Sequence, residues 1–357
     1  MVKIRFKKNI LLLISGWAIF SLLNSPILAG EESTRITISS ENLSLIEETR
    51  KVELKEGINE IILTPVSTKI VLDSVYPLIE DAEFIEQEYT SNSIFWKVKS
   101  NKEEITSLKV LYLTSGLKWT LSYRIKLNKE LGFMDISGWA KIENKSGRNF
   151  YNSSLTLVAF ISSGGEEKKI SYSLPLPLTF KNGEEKQVPL FLYRKVPLKI
   201  KYLFDYDKYG DEVREEIVFE NKKENGLEAL LPPGEVYIYR EEEGKIFFVS
   251  KDNFPSVLPE GEGILYLGQA KGLKGEKVQT FYQRLESGGQ EYAYRIVLWN
   301  LRDYSVKIKV REHLYGEGEI LESEPSEYLL RENNLILYEI EIPPKEQREV
   351  KYKAKIK

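Results

Sequence analysis

Apolar and polar residues alternate along most of this chain, most cleanly between Leu108 and Ile161. Trp119, Leu121, Tyr123, Ile125 and Leu127 interleave with Thr120, Ser122, Arg124, Lys126 and Asn128. That is the period of a strand with one buried and one wet face. Met134, Ile136, Ala140 and Ile142 continue the pattern in a second strand, and Leu155, Leu157 and Ala159 open a third. Thr-Ser-Gly, Asn-Lys and Asn-Lys-Ser-Gly fill the gaps with turn-forming residues. The stretch predicts an antiparallel meander.

The same alternation recurs on both sides. Ile36 and Ile38, then Leu43 and Leu45, then Val52 and Leu54 precede a turn at Glu56-Gly57, with Ile58 to Leu63 as the return arm. The acidic run Glu80 to Glu88 is compatible with a helix but leads straight into the strand pattern Ile94 to Val98. Ser100 to Glu104 is polar throughout and reads as a linker. Further on, Pro175 and Pro177 call for edge or polyproline geometry. Lys199 to Tyr206 and Val213 to Glu220 flank a turn at Asp207 to Asp211, which predicts a hairpin. Pro232-Pro233-Gly234 marks a boundary. The last strands, Tyr292 to Leu298, Val306 to Val310, Ile336 to Ile342 and Val350 to Ile356, alternate regularly, and lysines fill the outer face of the final one. Lysine there guards an edge. No run of helical period follows Ser33. The expectation is an all-β chain of two or three antiparallel, immunoglobulin-like β-sandwich domains in tandem. Its segments would be 30–104, 105–229 and 230–357, preceded by a signal peptide at 1–29.

Composition narrows the setting. Among 357 residues, 51 basic and 54 acidic side chains nearly cancel, so there is no electrostatic case for nucleic acid. Lys3, Arg5, Lys7 and Lys8 precede an apolar run from Ile10 to Leu23 and a small-residue exit at Ala29-Gly30, the pattern of a cleaved export signal. A retained anchor is the alternative, but the run is short and interrupted by Ser15 and Gly16. Losing those four cations shifts the formal charge from −3 to −7. With no cysteine, an exported chain gains nothing from disulfides and depends on core packing.

At YLTSGLKWTLSYRIKL (Tyr112 to Leu127) the sequence resembles the bacterial mucoidy-inhibitor-A-like family, a domain of unknown function. Gly138 to Ala159, Glu216 to Tyr239, Ile264 to Thr280 and the opening Asn42 to Leu63 fit the same pattern in the same order. Tyr89 to Lys109 is too short for the helical insertion of longer relatives. The resemblance implies an exported β-sandwich protein of the cell envelope, and it transfers no catalytic residue.

Candidate chemistry is sparse. His313 is the only histidine, so a Cys/His zinc site is excluded by count, and the residue reads as a strand-end side chain. Ser115-Gly-Leu-Lys118 matches S-x-x-K but runs into a strand where the motif needs a helix. Asp205, Asp207, Gly210 and Glu216 fall at positions 1, 3, 6 and 12 of a calcium loop, yet Tyr209 occupies position 5 and the flanks are strands. Carboxylate pairs of glycosidase type are not selected by spacing.

The outward aromatics are more telling. Trp139 lies opposite the Ile136/Ala140/Ile142 face. Trp299, with Arg295 on the same side, lies opposite Tyr294/Ile296/Leu298. Each needs cover from another domain, a partner or a sugar ring, and packing between domains is the expected cover. Both strands end in asparagine, Asn144 and Asn300, which hints at duplication. The sequence therefore predicts a cofactor-free, metal-free, periplasmic or cell-surface protein acting by binding or scaffolding, with an envelope protein or polysaccharide as partner. It would have no membrane span after signal cleavage. The alternatives are a carboxylate-dependent hydrolase of envelope polysaccharide and a glycan-binding module. Trp139, Trp299 and Arg295 are the candidate contacts.

Overall fold

The structure, a computed structural model, describes residues 27–357 except 41, 129–131, 164–165, 287 and 332–333. Most of the expected signal segment, residues 1–26, lies outside the described residues. The fold is all-β: five sheets, mostly antiparallel, with a single helical turn at Tyr206–Tyr209 and two short 3-10 turns among the described residues. The acidic run that could have been a helix is the strand Ala82–Thr90. The hairpin expected around Asp207 is present, Lys199–Phe204 pairing with Val213–Glu220.

The sheets follow one rule repeated four times. Each unit opens with a hairpin: Gly30–Ser39 with Ser44–Leu54, Leu117–Leu127 with Phe133–Asn144, Lys199–Phe204 with Val213–Glu220, and Leu273–Arg284 with Gln290–Asn300. A third strand then crosses to the sheet begun by the preceding unit and pairs in parallel with that unit's opening strand. Phe150–Ser163 lies on Gly30–Ser39, Gly234–Glu242 on Leu117–Leu127, and Val306–His313 on Lys199–Phe204. A fourth strand, Glu166–Ser173, Lys245–Phe254 or Leu335–Ile342, extends it. The fifth, Glu185–Pro197, Glu262–Gln269 or Gln347–Ile356, returns beside the second strand of its own hairpin.

The first unit obeys the same rule. Its third strand, Gly57–Leu63, pairs in parallel with Ile27–Leu28 (Ile27↔Ile61, Leu28↔Ile62), its fourth is Ser93–Ser100 and its fifth Glu104–Thr114. Ala29 is buried, and its N–H donates to the Ile62 carbonyl at 3.2 Å. The expected cleavage point thus lies at the end of a residue pair already built into a sheet.

Every internal sheet is therefore made by two successive units, and pairing crosses both expected boundaries. Phe150–Ser163 is bonded back to segment 30–104, and Gly234–Glu242 back to segment 105–229. The sheets face one another across apolar layers. Trp119 donates its Nε1–H to the Val158 carbonyl (3.1 Å) and meets Tyr172 edge-on, joining the second sheet to the first unit's sheet. Phe219 stacks on Phe254, and Phe204 fills the space a Cβ on Gly275 would need.

A buried amide closes each corner where the chain changes sheet. Asn144 Nδ2 donates to the carbonyls of Arg148 (2.8 Å) and Phe180 (3.2 Å), and its Oδ1 accepts from the Ser146 N–H (3.1 Å). Asn300 Nδ2 donates to Tyr304, Ile342 and Pro343 carbonyls at 2.8, 3.0 and 3.0 Å, while Oδ1 accepts from the Arg302 N–H at 3.0 Å. Asn221 Nδ2 likewise donates to the Ala229, Val257 and Leu258 carbonyls. In the tighter first corner Asn59 bonds both the N–H and the carbonyl of Lys55. The ladder breaks off at a corner, and asparagine supplies there both a donor for backbone carbonyls and an acceptor for a backbone N–H. The Asn144/Asn300 likeness thus extends to their hydrogen bonds. The tryptophans are not equivalent: Trp299 immediately precedes its asparagine, whereas Trp139 stands further back on its strand.

Candidate functional site

Trp139 lies on the solvent face of the five-stranded sheet formed by Glu185–Pro197, Phe133–Asn144, Leu117–Leu127, Gly234–Glu242 and Lys245–Phe254. The unbroken alternation of Phe133–Asn144 places it there, while the neighbouring strand accommodates one extra residue, Leu190, between the partners Phe191 of Gly138 and Pro189 of Trp139. Gly138 is required at that point, because a Cβ would lie 2.1 Å from the Phe191 ring.

The Arg124 guanidinium stacks 4.0 Å from the Trp139 ring centroid and donates to Gln187 Oε1 at 2.7 Å. Trp139 Nε1–H donates to Ser137 Oγ at 3.3 Å. The next two strands continue the row in register: Arg124 stands opposite Tyr237, Lys126 opposite Tyr239, and Tyr239 opposite Phe248, whose rings meet edge-on at 5.8 Å. Ile246, Phe247 and Phe248 at the sheet's edge are exposed. Beside Tyr237 and Tyr239 opens a cleft of about 580 Å³, bordered also by Arg124, Lys141, Glu185, Gln187 and Glu235. Glu235 accepts from Lys251 Nζ (2.6 Å) and the Tyr237 hydroxyl (2.9 Å), and those two bonds hold its carboxyl below the usual carboxylate range.

Trp299 is on a different sheet and is not brought near Trp139. It is half-buried and lines a second cleft, about 550 Å³, with Asp211, Gln269, Lys274, Glu276 and Leu301. The segment Leu231 to Gln290 supplies strands to three different sheets. Arg295 shares Trp299's strand but is exposed and pairs with Glu349 at 3.7 Å, within a row of ion pairs that includes Lys351–Glu349 at 2.9 Å. Its surroundings are a solvated charge lattice.

The weighed motifs take structural roles. Asp205 is fully buried, and its carboxylate accepts from the Lys208 N–H and faces Arg311 (3.5 Å) and His313 (3.4 Å). It caps the Tyr206–Tyr209 turn. Ser115 and Gly116 form the turn before Leu117–Leu127. Among the described residues no group of three or more His, Asp or Glu is placed to hold a metal ion.

Two buried ionic clusters were not anticipated. In the first, Glu48 accepts from Tyr112 OH (2.7 Å), from Arg50 Nε (2.9 Å) and from the Arg148 guanidinium. Burial alone would raise its pKa, but Arg148, Arg50 and Tyr112 outweigh burial and hold it below the ordinary value. In the second, Glu312 Oε2 meets Lys277 Nζ at 2.6 Å and Tyr352 OH at 2.7 Å, and Lys277 also reaches Asp207 at 3.0 Å. Here burial prevails, and the Glu312 carboxyl is pushed up despite Lys277. Both carboxylates fall in phase with core positions, Glu48 with Ile46 and Val52 and Glu312 with Ile308 and Val310. A charge in phase with the core was the available signal.

No family model matches the chain, and no curated protein matches it.

Proposed function

We propose that this is a non-catalytic, exported protein of the bacterial envelope, acting by binding and scaffolding through the open face of its five-stranded sheet, with polysaccharide as the ligand class. The observation that carries the reading is the row Trp139, Tyr237, Tyr239 and Phe248 beside a polar cleft. Aromatic faces stack on the apolar faces of sugar rings, while Arg124, Gln187 and Glu235 offer planar hydrogen-bonding groups to hydroxyls. An aromatic row on the wet side of a sheet is costly to leave uncovered. Export and the envelope setting rest on the N-terminal pattern and on the resemblance to the mucoidy-inhibitor-A-like family, with which an all-β fold is consistent. Hydrolysis by carboxylates is the weaker reading: a general acid needs a raised pKa, and Lys251 with Tyr237 shifts Glu235 the other way.

The test is titration of the purified chain with envelope polysaccharide, followed by tryptophan fluorescence and calorimetry. Trp139→Ala and Tyr237→Ala should each weaken binding about tenfold or more, as aromatic anchors do, with little change in melting temperature. Equal binding by both variants, or release of reducing ends, overturns the proposal.

A further inference from the structure

The four-unit rule leaves one junction unfilled. Each internal sheet is completed when a unit's third strand pairs in parallel with the opening strand of the unit before it, and this happens three times within the chain. The opening strand of the fourth unit, Leu273–Arg284, has the same place in its sheet. Among the described residues it pairs only with Gln290–Asn300, so its other edge is open. In the first unit the third strand, Gly57–Leu63, meets no opening strand of another unit among the described residues. The two residues Ile27–Leu28 stand in that place, in the same parallel sense.

We infer that copies of this chain join head to tail, the open edge of Leu273–Arg284 in one copy pairing in parallel with Gly57–Leu63 of the next, and that Ile27–Leu28 is a short cap occupying that site. Three features support a second copy as the occupant. The partner geometry is already realised three times by this sequence, so nothing new has to be built. The edge is long and partly apolar: Leu273–Arg284 has 12 residues with Val278, Phe281 and Tyr282 exposed between the charged positions Lys274, Glu276, Lys277 and Arg284, whereas the other edge strand of the same sheet, Gly318–Glu324, has 7. A long edge with exposed apolar side chains offers more ladder positions to an added strand than a short one does. In the internal counterpart of the same strand, Tyr123, Ile125 and Leu127 are fully buried under the added neighbour and its layer.

The cap is small. It covers Gly57–Leu63 at only Ile61 and Ile62, while the internal junctions run over three to six register pairs, so a full-length neighbour displaces it by making more ladder bonds. The expected signal cleavage at Ala29 removes Ile27–Leu28, which would couple export to exposure of the site. Because the contact joins two different edges, it does not close on itself and generates an open series of oligomers.

The experiment is sedimentation velocity of the full chain with the cap disabled by Ile27→Pro and Leu28→Pro, over a range of concentrations. The expected result is a monomer for the unaltered chain and a continuous rise in mass with concentration for the variant. Adding Thr280→Pro and Tyr282→Pro to the variant should restore the monomer. If the proline pair disturbs folding, judged by circular dichroism, Leu28→Lys serves as the milder disabled cap. Hydrogen exchange should then show Gln279 to Arg284 gaining protection as concentration rises. A variant that stays monomeric overturns the inference. So does growth that stops at a dimer, or growth insensitive to the Thr280 and Tyr282 prolines, since these place the contact on like edges or on another edge such as Lys245–Phe254.

Discussion

Glu48→Gln isolates a buried carboxylate bonded from several sides. The carboxylate is fully buried and receives hydrogen bonds from Tyr112 and from the guanidiniums of Arg50 and Arg148. A glutamine of the same shape keeps one acceptor, turns an amide N–H₂ toward the guanidiniums and removes the charge they face. Breaking a buried pair by neutralising one partner costs about 3–5 kcal/mol, a large part of a stability of roughly 5–15 kcal/mol. Arg148 belongs to the second unit's corner and Glu48 to the first unit's hairpin, so the loss falls on the junction between units.

The pH dependence gives the sign. The folded-state pKa of Glu48 lies below its ordinary value of 4.5. Its stabilisation is present above the unfolded-state pKa and is lost as pH falls through the folded value. Denaturant unfolding of both proteins at neutral pH and at a series of acid pH values should show a gap of about 3–5 kcal/mol that is constant near neutrality and closes toward acid. A neutral gap under about 1 kcal/mol, the size of an exposed ion pair, refutes the reasoning. A gap that widens on acidification refutes it as well.

The other predictions probe separate parts of the fold. Glu312→Gln should behave oppositely to Glu48→Gln: the folded pKa of Glu312 is raised, so wild type gains on the variant as pH falls, and the same titration reads it. Asn300→Ala leaves the Tyr304, Ile342 and Pro343 carbonyls without their donor and should cost about 3 kcal/mol, measured as a drop in denaturation midpoint with unchanged slope. Trp299→Ala removes a half-buried ring from an open cleft and should cost about 1–2 kcal/mol, less than the 3 kcal/mol or more expected of a tryptophan sealed between domains.

The strands were legible in the sequence because a half-buried sheet writes its two faces as alternation, and Trp119 to Leu127 or Val306 to Val310 leave no other reading. The pairing was not legible. Alternation says which side chains face inward but not which strand lies alongside, and Gly234–Glu242 finds its parallel partner more than a hundred residues upstream. Boundaries drawn at turns such as Pro232-Pro233-Gly234 therefore divide the chain where the sheets are continuous. The aromatic row is an intermediate case. Trp139 was visible as an outward aromatic, but Tyr237, Tyr239 and Phe248 join it only through that long-range pairing. The buried charges were visible and passed over: Glu48 and Glu312 interrupt apolar positions of the correct phase, which is uncommon without a partner to compensate.

The interleaving also explains where those buried charges sit. A sheet shared by two units has a seam at each parallel pair, and the corner that carries the chain across it lies beside that seam. Arg148, four residues past Asn144, reaches Tyr112 and Glu48 of the preceding unit. Arg302, two residues past Asn300, reaches Tyr202 at 2.5 Å and Glu215 at 3.5 Å, again in the preceding unit. The third corner has Lys223 two residues and Asn225 four residues past Asn221, and Lys223 pairs with Glu228 of the same unit; there Tyr266 donates to Glu212 and Arg214 stacks on Tyr266 at 3.7 Å, within one unit. An apolar contact tolerates a one-step slip of register at modest cost, but a guanidinium matched to one phenol and one carboxylate does not. At two of the three seams, then, the arginine acts as a register pin. Hydrophobic burial holds the sheets face to face, and the buried ion pairs fix which strand of one unit meets which strand of the next.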